Sequence, residues 1–144
     1  MRVLLAGGAG YIGAHTAVSL LDAGHDVVLL DDLSGTSAIA ADRVATITGK
    51  DVPLVVGDAA DDAIVERVFA EHGPIDAIIH LAAFKAVGES TQKPLEYYSN
   101  SVDTTFALLR VGLGHGIRSF VFSSTGTVYS DPADLPFTEE STTS

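Results

Sequence analysis

Residues 7–13, with the sequence GGAGYIG, decide the fold of this chain. They follow the apolar run Val3–Ala6 and precede a segment in which apolar residues recur with helical spacing. A strand, a glycine-rich turn and a helix in this order are the context of a dinucleotide-binding fingerprint. Gly7 allows a sharp turn at the strand end, Gly10 leaves room for the backbone to approach a pyrophosphate, and Gly13 lets the helix pack closely on the sheet. The spacing predicts a phosphate-binding turn, although glycines also mark ordinary turns.

An acidic residue at the end of the next apolar run supports this interpretation. Asp31 follows Val27–Leu30 and lies 18 residues after Gly13. A carboxylate at this strand end can accept hydrogen bonds from the adenosine ribose hydroxyls and would repel a 2′-phosphate. The sequence therefore predicts NAD rather than NADP as the ligand. The alternative is that Asp31 and Asp32 simply begin a solvated loop.

The composition is that of one globular domain. The chain has 144 residues, of which 47% are hydrophobic and 19% are charged, and this length suits a single core. Acidic residues outnumber basic ones by 19 to 8, which gives a net charge of −11. Such a charge disfavours nucleic acid and anionic membranes, so we expect neither as a partner.

Other functions are limited by what the sequence lacks. It contains no cysteine, which excludes disulfide bonds, thiolate catalysis and cysteine metal sites, and we predict no metal site. The apolar run after Met1 is too short for a signal peptide, and no run reaches the length of a membrane span. A cytoplasmic location is the expectation.

Short apolar runs alternate with helical patterns along the whole chain. The predicted strands are Val3–Ala6, Val27–Leu30, Leu54–Val56, Ala77–Leu81 and Phe120–Phe122, and the predicted helices cover residues 11–23, 39–48, 59–72 and 94–112. We expect Ile12, Ala17, Leu20 and Leu21 to form the packed stripe of the first helix. The alternation predicts an α/β fold with a doubly wound parallel sheet, a Rossmann fold of about five strands with flanking helices. Residues 1–144 are then one NAD-binding domain.

Ligands of such sheets bind at the carboxyl ends of the strands, near the point where the strand order reverses. The strand assignments place five segments there: Gly7–Gly13, Asp31, Asp58, Leu81–Lys85 and Ser123–Thr125. We therefore expect these segments to form one site.

Several of these segments also resemble a known family. The matching stretches are Gly7–His15, Asp31–Leu33, Gly57-Asp58, Lys85–Ser90, Lys93–Tyr98, Asn100 and Ser123–Tyr129. Together they resemble the UDP-glucose 4-epimerases of the extended short-chain dehydrogenase/reductase group. The likeness spans essentially the whole chain, and the run from Lys85 to Tyr98 is its most specific part.

The resemblance implies an activity. Members of this family hold NAD tightly, oxidise the sugar at C4, let the 4-keto sugar rotate and return the hydride to its other face. UDP-galactose and UDP-glucose are thereby interconverted. The implied partners are a UDP-sugar substrate and, in the full-length enzyme, a second copy of the chain.

The resemblance, together with the strand ends, also assigns site residues. The expected cofactor-binding residues are Gly7, Gly10, Tyr11, Ile12, Gly13, Asp31, Asp32, Leu33, Gly35, Thr36, Asp58, Ala59, Leu81, Ala82, Ala83, Lys85, Asn100 and Ser123. Asp58 would bind the adenine amine, and Lys85 would lie near the ribose and the substrate. Thr125 would be catalytic, because its hydroxyl would bind the sugar 4-oxygen and help to move its proton. Lys85, Thr125 and Thr127 would contact the substrate.

One motif of the family is absent from residues 1–144. The family's base is the tyrosine of a Tyr-x-x-x-Lys motif, but the positions four residues after the four tyrosines hold His15, Ser101, Val102 and Ala133. We expect the motif a few residues beyond Ser144. The chain is then the N-terminal piece of a longer enzyme and is inactive alone.

Two alternatives remain open. A dehydratase of the same group is disfavoured, because it would carry Asp-Glu after the catalytic threonine, where this chain has Gly126 and Thr127. Another NAD-dependent nucleotide-sugar enzyme, such as a decarboxylase or an epimerase of a different sugar, fits the same residues. A stand-alone NAD-binding module with a regulatory role is the alternative from a different functional class.

Overall fold

The computed structural model describes residues 1–129 and 135–143, which contain one parallel sheet of five strands. The strands are β1 (Arg2–Ala6), β2 (Asp26–Asp31), β3 (Leu54–Val56), β4 (Ala77–His80) and β5 (Ser119–Phe122). Their order is β3-β2-β1-β4-β5, and all neighbours are parallel. The chain winds outward from β1 in one direction and then returns to the other side, so the strand order reverses between β1 and β4. The predicted doubly wound parallel sheet is confirmed.

Helices cover both faces of this sheet. They are α1 (Tyr11–Asp22), α2 (Ile39–Thr48), α3 (Asp62–His72), the four-residue α4 (Val87–Ser90) and α5 (Pro94–Gly114), followed by a 3₁₀ turn at Gly126–Val128. Leu5 of β1 packs in a core with residues of α1 and α2, whereas Leu4 packs in a second core with residues of α3 and α5. Successive side chains of a strand point to opposite faces, and for this reason β1 is apolar throughout.

The structure corrects one prediction about α1. Ile12 was expected in the packed stripe, but 53% of its surface is exposed, and the buried residues of α1 are Gly13, Ala17 and Leu21. A Cβ atom at Gly13 would lie 2.3 Å from the carbonyl oxygen of Gly7. The helix backbone itself therefore contacts the glycine-rich turn at Gly13, and Ile12 faces away from the core.

Two helices differ from their predicted extents. Helix α3 begins at Asp62 rather than at 59, because the Asp61 side chain caps it by accepting a 2.9 Å hydrogen bond from the Ala63 N–H. The short helix α4 was not predicted. It lies between β4 and α5, where four residues are too few to show a helical period.

Helix α5 has two apolar sides. Its buried face consists of Thr104, Ala107, Leu108, Val111 and Gly112. The periodic residues that predicted the helix include Leu95, Tyr98, Val102 and Phe106, and all four are exposed. The helix is confirmed, but most of this periodic row is not part of its core. No helix within residues 1–129 and 135–143 is long and apolar enough to cross a membrane.

Candidate nucleotide-binding site

A cleft of about 1040 Å³ lies at the carboxyl ends of the strands. Most of the predicted site residues line it, namely Gly7, Gly10, Tyr11, Ile12, Gly13, Asp31, Asp32, Gly35, Thr36, Asp58, Ala59, Leu81, Ala82, Ala83, Lys85, Asn100, Ser123 and Thr125. Leu33 does not line it, and the Thr127 side chain lies outside the described part of the structure. The topology thus brings together segments that are more than 100 residues apart in sequence.

The glycine-rich turn at one end of the cleft is packed too tightly for side chains. Gly7 has a φ of +80°, and a Cβ atom there would lie 2.6 Å from the backbone nitrogen of Ala82. The turn after β1 therefore touches the end of β4. This contact requires glycine for both its φ angle and its space.

The N-terminus of α1 opens into this cleft without a side-chain cap. Gly10 is the N-cap residue and makes no side-chain hydrogen bond, and the first turn carries no acidic residue. The first N–H groups of a helix lack intrahelical partners, and they lie at the positive end of the helix dipole. This end of α1 fits the diphosphate of a dinucleotide.

Asp31 connects the glycine-rich turn to the loop after β2. Only 8% of its surface is exposed. Its carboxylate accepts three hydrogen bonds of 3.0 Å each, from the Ala9 N–H, the Leu33 N–H and the Thr36 hydroxyl. A carboxylate has about four acceptor positions, so it can accept one further donor from a ligand. Sequence reasoning identified the acid but not this network.

Leu33 contributes to the same site from outside the cleft. Its φ of 61° is in the left-handed region, which a branched side chain rarely adopts. The Leu33 N–H, one of the three donors to Asp31, accompanies this backbone turn. Its contact with a cofactor stays a prediction, whereas its contact with Asp31 is observed.

The segment after β4 and the helix α5 form the opposite wall. The backbone N–H of Phe84 donates a 2.8 Å hydrogen bond to Oδ1 of Asn100. The amide oxygen of Asn100 is therefore already engaged, and its NH₂ group is the part suited to contact a ligand. Lys85, the next residue after Phe84, is exposed at the cleft.

Sequence reasoning missed two residues of this wall, Glu89 and Tyr97. The Tyr97 hydroxyl donates a 2.8 Å hydrogen bond to Glu89, and Lys93 donates one of 3.1 Å to the same carboxylate. The Tyr97 hydroxyl, followed by Lys93, holds the pKa of Glu89 below its ordinary value. Desolvation and then the bond to Glu89 raise the pKa of Tyr97. The four-residue spacing of Glu89, Lys93 and Tyr97 was a signal that could have found them.

His80, at the end of β4, was also missed. It is 2% exposed, and its Nε2 lies 3.0 Å from the Thr105 hydroxyl oxygen. That hydroxyl donates its own hydrogen to the Ser101 carbonyl at 2.8 Å, so the hydrogen-bond network assigns a proton to Nε2 of His80. Burial lowers the pKa of His80, and Nδ1 has no hydrogen-bond partner in the part of the chain that the structure describes. A single histidine at a strand end gave no signal of this burial.

Thr125 lies at the end of β5, beside this wall. The Ser123 N–H donates a 3.1 Å hydrogen bond to the His80 carbonyl, which extends the pairing of β5 with β4. The backbone then turns, and the Val128 N–H donates to the Thr125 carbonyl at 3.3 Å. Thr125 is thereby held on an exposed turn at the rim of the cleft.

Comparison with known proteins gives concordant matches. The model of the NAD dependent epimerase/dehydratase family matches residues 3–144. A UDP-glucose 4-epimerase of Pasteurella multocida is 50% identical over 139 residues, which cover 96% of this chain and 41% of that protein. The chain thus spans about two fifths of the length of the curated relatives it matches.

Solved structures match the fold over the whole chain. The crystal structure of UDP-glucose 4-epimerase from Bifidobacterium longum in complex with NAD⁺ and UDP has a TM-score of 0.94 and 48% identity, covering 100% of this chain and 43% of that one. The UDP-glucose-4-epimerase of Stenotrophomonas maltophila with bound NAD and formylated UDP-arabinopyranose has a TM-score of 0.92 and 40% identity, with 100% and 43% covered.

Proposed function

Because the chain belongs to the NAD dependent epimerase/dehydratase family, we propose that residues 1–144 are the NAD-binding domain of a UDP-glucose 4-epimerase. The whole protein would interconvert UDP-galactose and UDP-glucose through a transient 4-keto sugar. The observation that carries this proposal is the cleft that gathers the glycine-rich turn, Asp31, Asp58, Lys85 and Thr125 at one edge of the sheet. The bound ligands named for the Bifidobacterium longum enzyme, NAD⁺ and UDP, support it.

The residues of the cleft fit NAD from end to end. The uncapped N-terminus of α1 suits the diphosphate. The nearly buried carboxylate of Asp31 suits ribose hydroxyls and opposes a 2′-phosphate. Asp58 and Ala59, which follow β3, would lie at the adenine ring, and the opposite wall with Lys85 and Asn100 would face the nicotinamide half.

The chain's own residues would orient the sugar and move its proton. When bound, NAD supplies a reversible acceptor for hydride from the sugar carbon. Thr125 would bind the sugar 4-oxygen through its hydroxyl and pass the 4-hydroxyl proton toward a base. Lys85 would hold the substrate from the opposite wall. We propose that the base is a tyrosine outside residues 1–144, since none of the four tyrosines here is followed by lysine four residues later.

The remaining expectations about partners and location are proposals as well. We propose that the full-length protein is a homodimer, and the exposed apolar side chains of α5, among them Leu95 and Phe106, are compatible with a second copy. A cytoplasmic location stays a prediction.

The test is turnover of UDP-galactose by the full-length protein, followed by chromatographic detection of UDP-glucose. Thr125→Val should lower kcat by about 100-fold or more while the dissociation constant for NAD changes less than about twofold. Thr46→Val, which removes a hydroxyl on α2 outside the cleft, is the matched control. A full-length protein that binds NAD but produces no UDP-glucose, or a fully active Thr125→Val variant, would contradict the proposal.

The polypeptide of residues 1–144 provides a second test. We expect it to bind NAD without turning over UDP-galactose, because it lacks the proposed base. Turnover by this polypeptide would show that the base lies within residues 1–144.

A further inference from the structure

Lys85 lies in a segment that burial does not fix in place. Every residue from 83 to 89 is exposed. Within residues 1–129 and 135–143, the ammonium group of Lys85 forms no ion pair with a carboxylate. A long cationic side chain on an exposed segment samples many rotamers. The position of Lys85 at the cleft therefore depends on the polar contacts on either side of it.

On the N-terminal side, Phe84 is attached to α5 twice. Its backbone N–H donates a 2.8 Å hydrogen bond to Asn100, and its ring lies 5.4 Å from the ring of Tyr97. Tyr97 and Asn100 are three residues apart in α5, so they lie on one face of that helix. This face fixes the chain immediately before Lys85.

On the C-terminal side, the carboxylate of Glu89 makes the equivalent attachment. One oxygen accepts the 2.8 Å hydrogen bond from the Tyr97 hydroxyl, and the other accepts the 3.1 Å hydrogen bond from Lys93. Glu89 belongs to α4, whereas Tyr97 belongs to α5 and Lys93 immediately precedes it. We name these three side chains the α4–α5 link. Tyr97 contacts both Phe84 and Glu89, so it joins the two attachments.

We propose that Glu89 is a positioning residue, which holds α4 against α5 through Tyr97 and Lys93 and so sets where the Lys85 ammonium group lies in the cleft. This inference rests on the proposed function, in which Lys85 contacts the cofactor and the sugar. Glu89 itself need not touch either ligand.

The chain offers a matched control for Glu89. Glu96 also lies near Lys93, at 3.6 Å, but it belongs to α5 and does not connect that helix to α4. In the full-length protein, Glu89→Ala and Tyr97→Phe should each raise the dissociation constant for NAD about fivefold, as expected for the loss of one hydrogen bond to a charged group. Glu96→Ala should change it less than about twofold. Equal effects of Glu89→Ala and Glu96→Ala would overturn the proposal.

A double-mutant cycle separates positioning from a general effect on structure. If the α4–α5 link acts through Lys85, Glu89→Ala has no further effect on NAD affinity once Lys85→Met is present. Factors that multiply in the double variant would show that Glu89 acts by another route and would overturn the inference. Glu89→Gln keeps an oxygen that can accept from Tyr97, so it should restore most of the affinity that Glu89→Ala loses.

The same titrations distinguish this inference from the proposed function. A wild-type protein that shows no calorimetric binding of NAD overturns the proposed function and this inference with it. A wild-type protein that binds NAD, with multiplicative factors in the cycle, overturns only the role of Glu89. Circular dichroism of each variant identifies those that are folded, and Tyr97→Phe and Glu89→Gln carry the test if Glu89→Ala is not folded.

Discussion

The carboxylate of Asp31 accepts a hydrogen bond of 3.0 Å from the backbone N–H of Ala9, which lies 22 residues earlier in the chain. This buried bond joins the end of β2 to the glycine-rich turn. It makes Asp31 a structural residue of the site as well as the proposed ribose ligand. The two roles give different measurable consequences.

We expect Asp31→Ala to lower the free energy of unfolding by about 2 kcal/mol, because a buried N–H group loses its partner. Urea denaturation of the polypeptide is the measurement. Asp32→Ala is the control, since the exposed carboxylate of Asp32 bonds only to Ser34 of its own loop, and a loss of less than about 0.5 kcal/mol is expected there. Equal losses in the two variants would contradict the structural role of Asp31.

The ligand role of Asp31 predicts a change in cofactor preference. Asp31→Ala removes both the acceptor for the ribose hydroxyls and the negative charge that opposes a 2′-phosphate. We expect the ratio of the dissociation constants of NADP and NAD to fall by about tenfold or more. Calorimetric titration with each nucleotide measures this ratio. An unchanged ratio, in a variant that remains folded, would place the ribose away from Asp31.

The site could be predicted from the sequence wherever a side chain marked a strand end. Asp31 and Asp58 follow apolar runs directly, and the parallel-sheet topology places such ends along one edge. The partners of Asp31 could not be predicted in this way, because Ala9 and Leu33 bond through their backbone and carry no side-chain signal. Backbone donors become visible only when the turn geometry is known.

Gly13 is expected to be the glycine least tolerant of substitution in the turn. A Cβ atom there would lie 2.3 Å from the Gly7 oxygen and 2.7 Å from the Gly8 Cα, and both are backbone atoms that cannot move independently. We expect Gly13→Ala to cost about 3 kcal/mol or more. Gly114→Ala, near the end of α5, meets nothing within 4 Å and should be neutral or slightly stabilising. Chemical denaturation compares them, and a loss below about 1 kcal/mol for Gly13→Ala would contradict the packing of this turn.

Periodicity predicted the helices better than it predicted their buried faces. The row Leu95, Tyr98, Val102 and Phe106 has helical spacing and identified α5, but it lies on the exposed side. The face that packs on the sheet contains Thr104, Ala107 and Gly112, small or polar residues that allow close approach and are weak signals in a hydropathy pattern. For the same reason, Ile12 was assigned to a face that Gly13 occupies.

His80 is expected to make folding stability depend on pH near neutrality. Burial lowers its pKa in the folded state below the ordinary value of 6.5, so between those two pKa values the unfolded chain binds a proton that the folded chain does not. Stability is therefore full above about pH 6.5 and falls as the pH decreases toward the folded-state pKa. Urea denaturation at several pH values should show a smaller decrease for His80→Asn than for the wild type, since His80 is one of five histidines. Direct titration of the His80 ring by NMR provides the second measurement, and a midpoint at or above 6.5 would contradict the prediction.

Glu89 gives a prediction about the α4–α5 link that does not depend on any ligand. The hydrogen bond from the Tyr97 hydroxyl is the largest cause of the lowered pKa of Glu89, ahead of Lys93. The ionised carboxylate therefore stabilises the link above the ordinary glutamate pKa, and this contribution is lost as the pH falls through the lowered value. Tyr97→Phe should raise the pKa of Glu89 toward its ordinary value, which carbon-detected NMR of the carboxyl group measures. Tyr98→Phe is the matched control, because Tyr98 is the adjacent residue of α5, is exposed and makes no hydrogen bond to Glu89 within the described residues. An upward shift in Tyr98→Phe as large as that in Tyr97→Phe, or no shift in either variant, would mean that the Tyr97 hydroxyl does not hold Glu89 in solution.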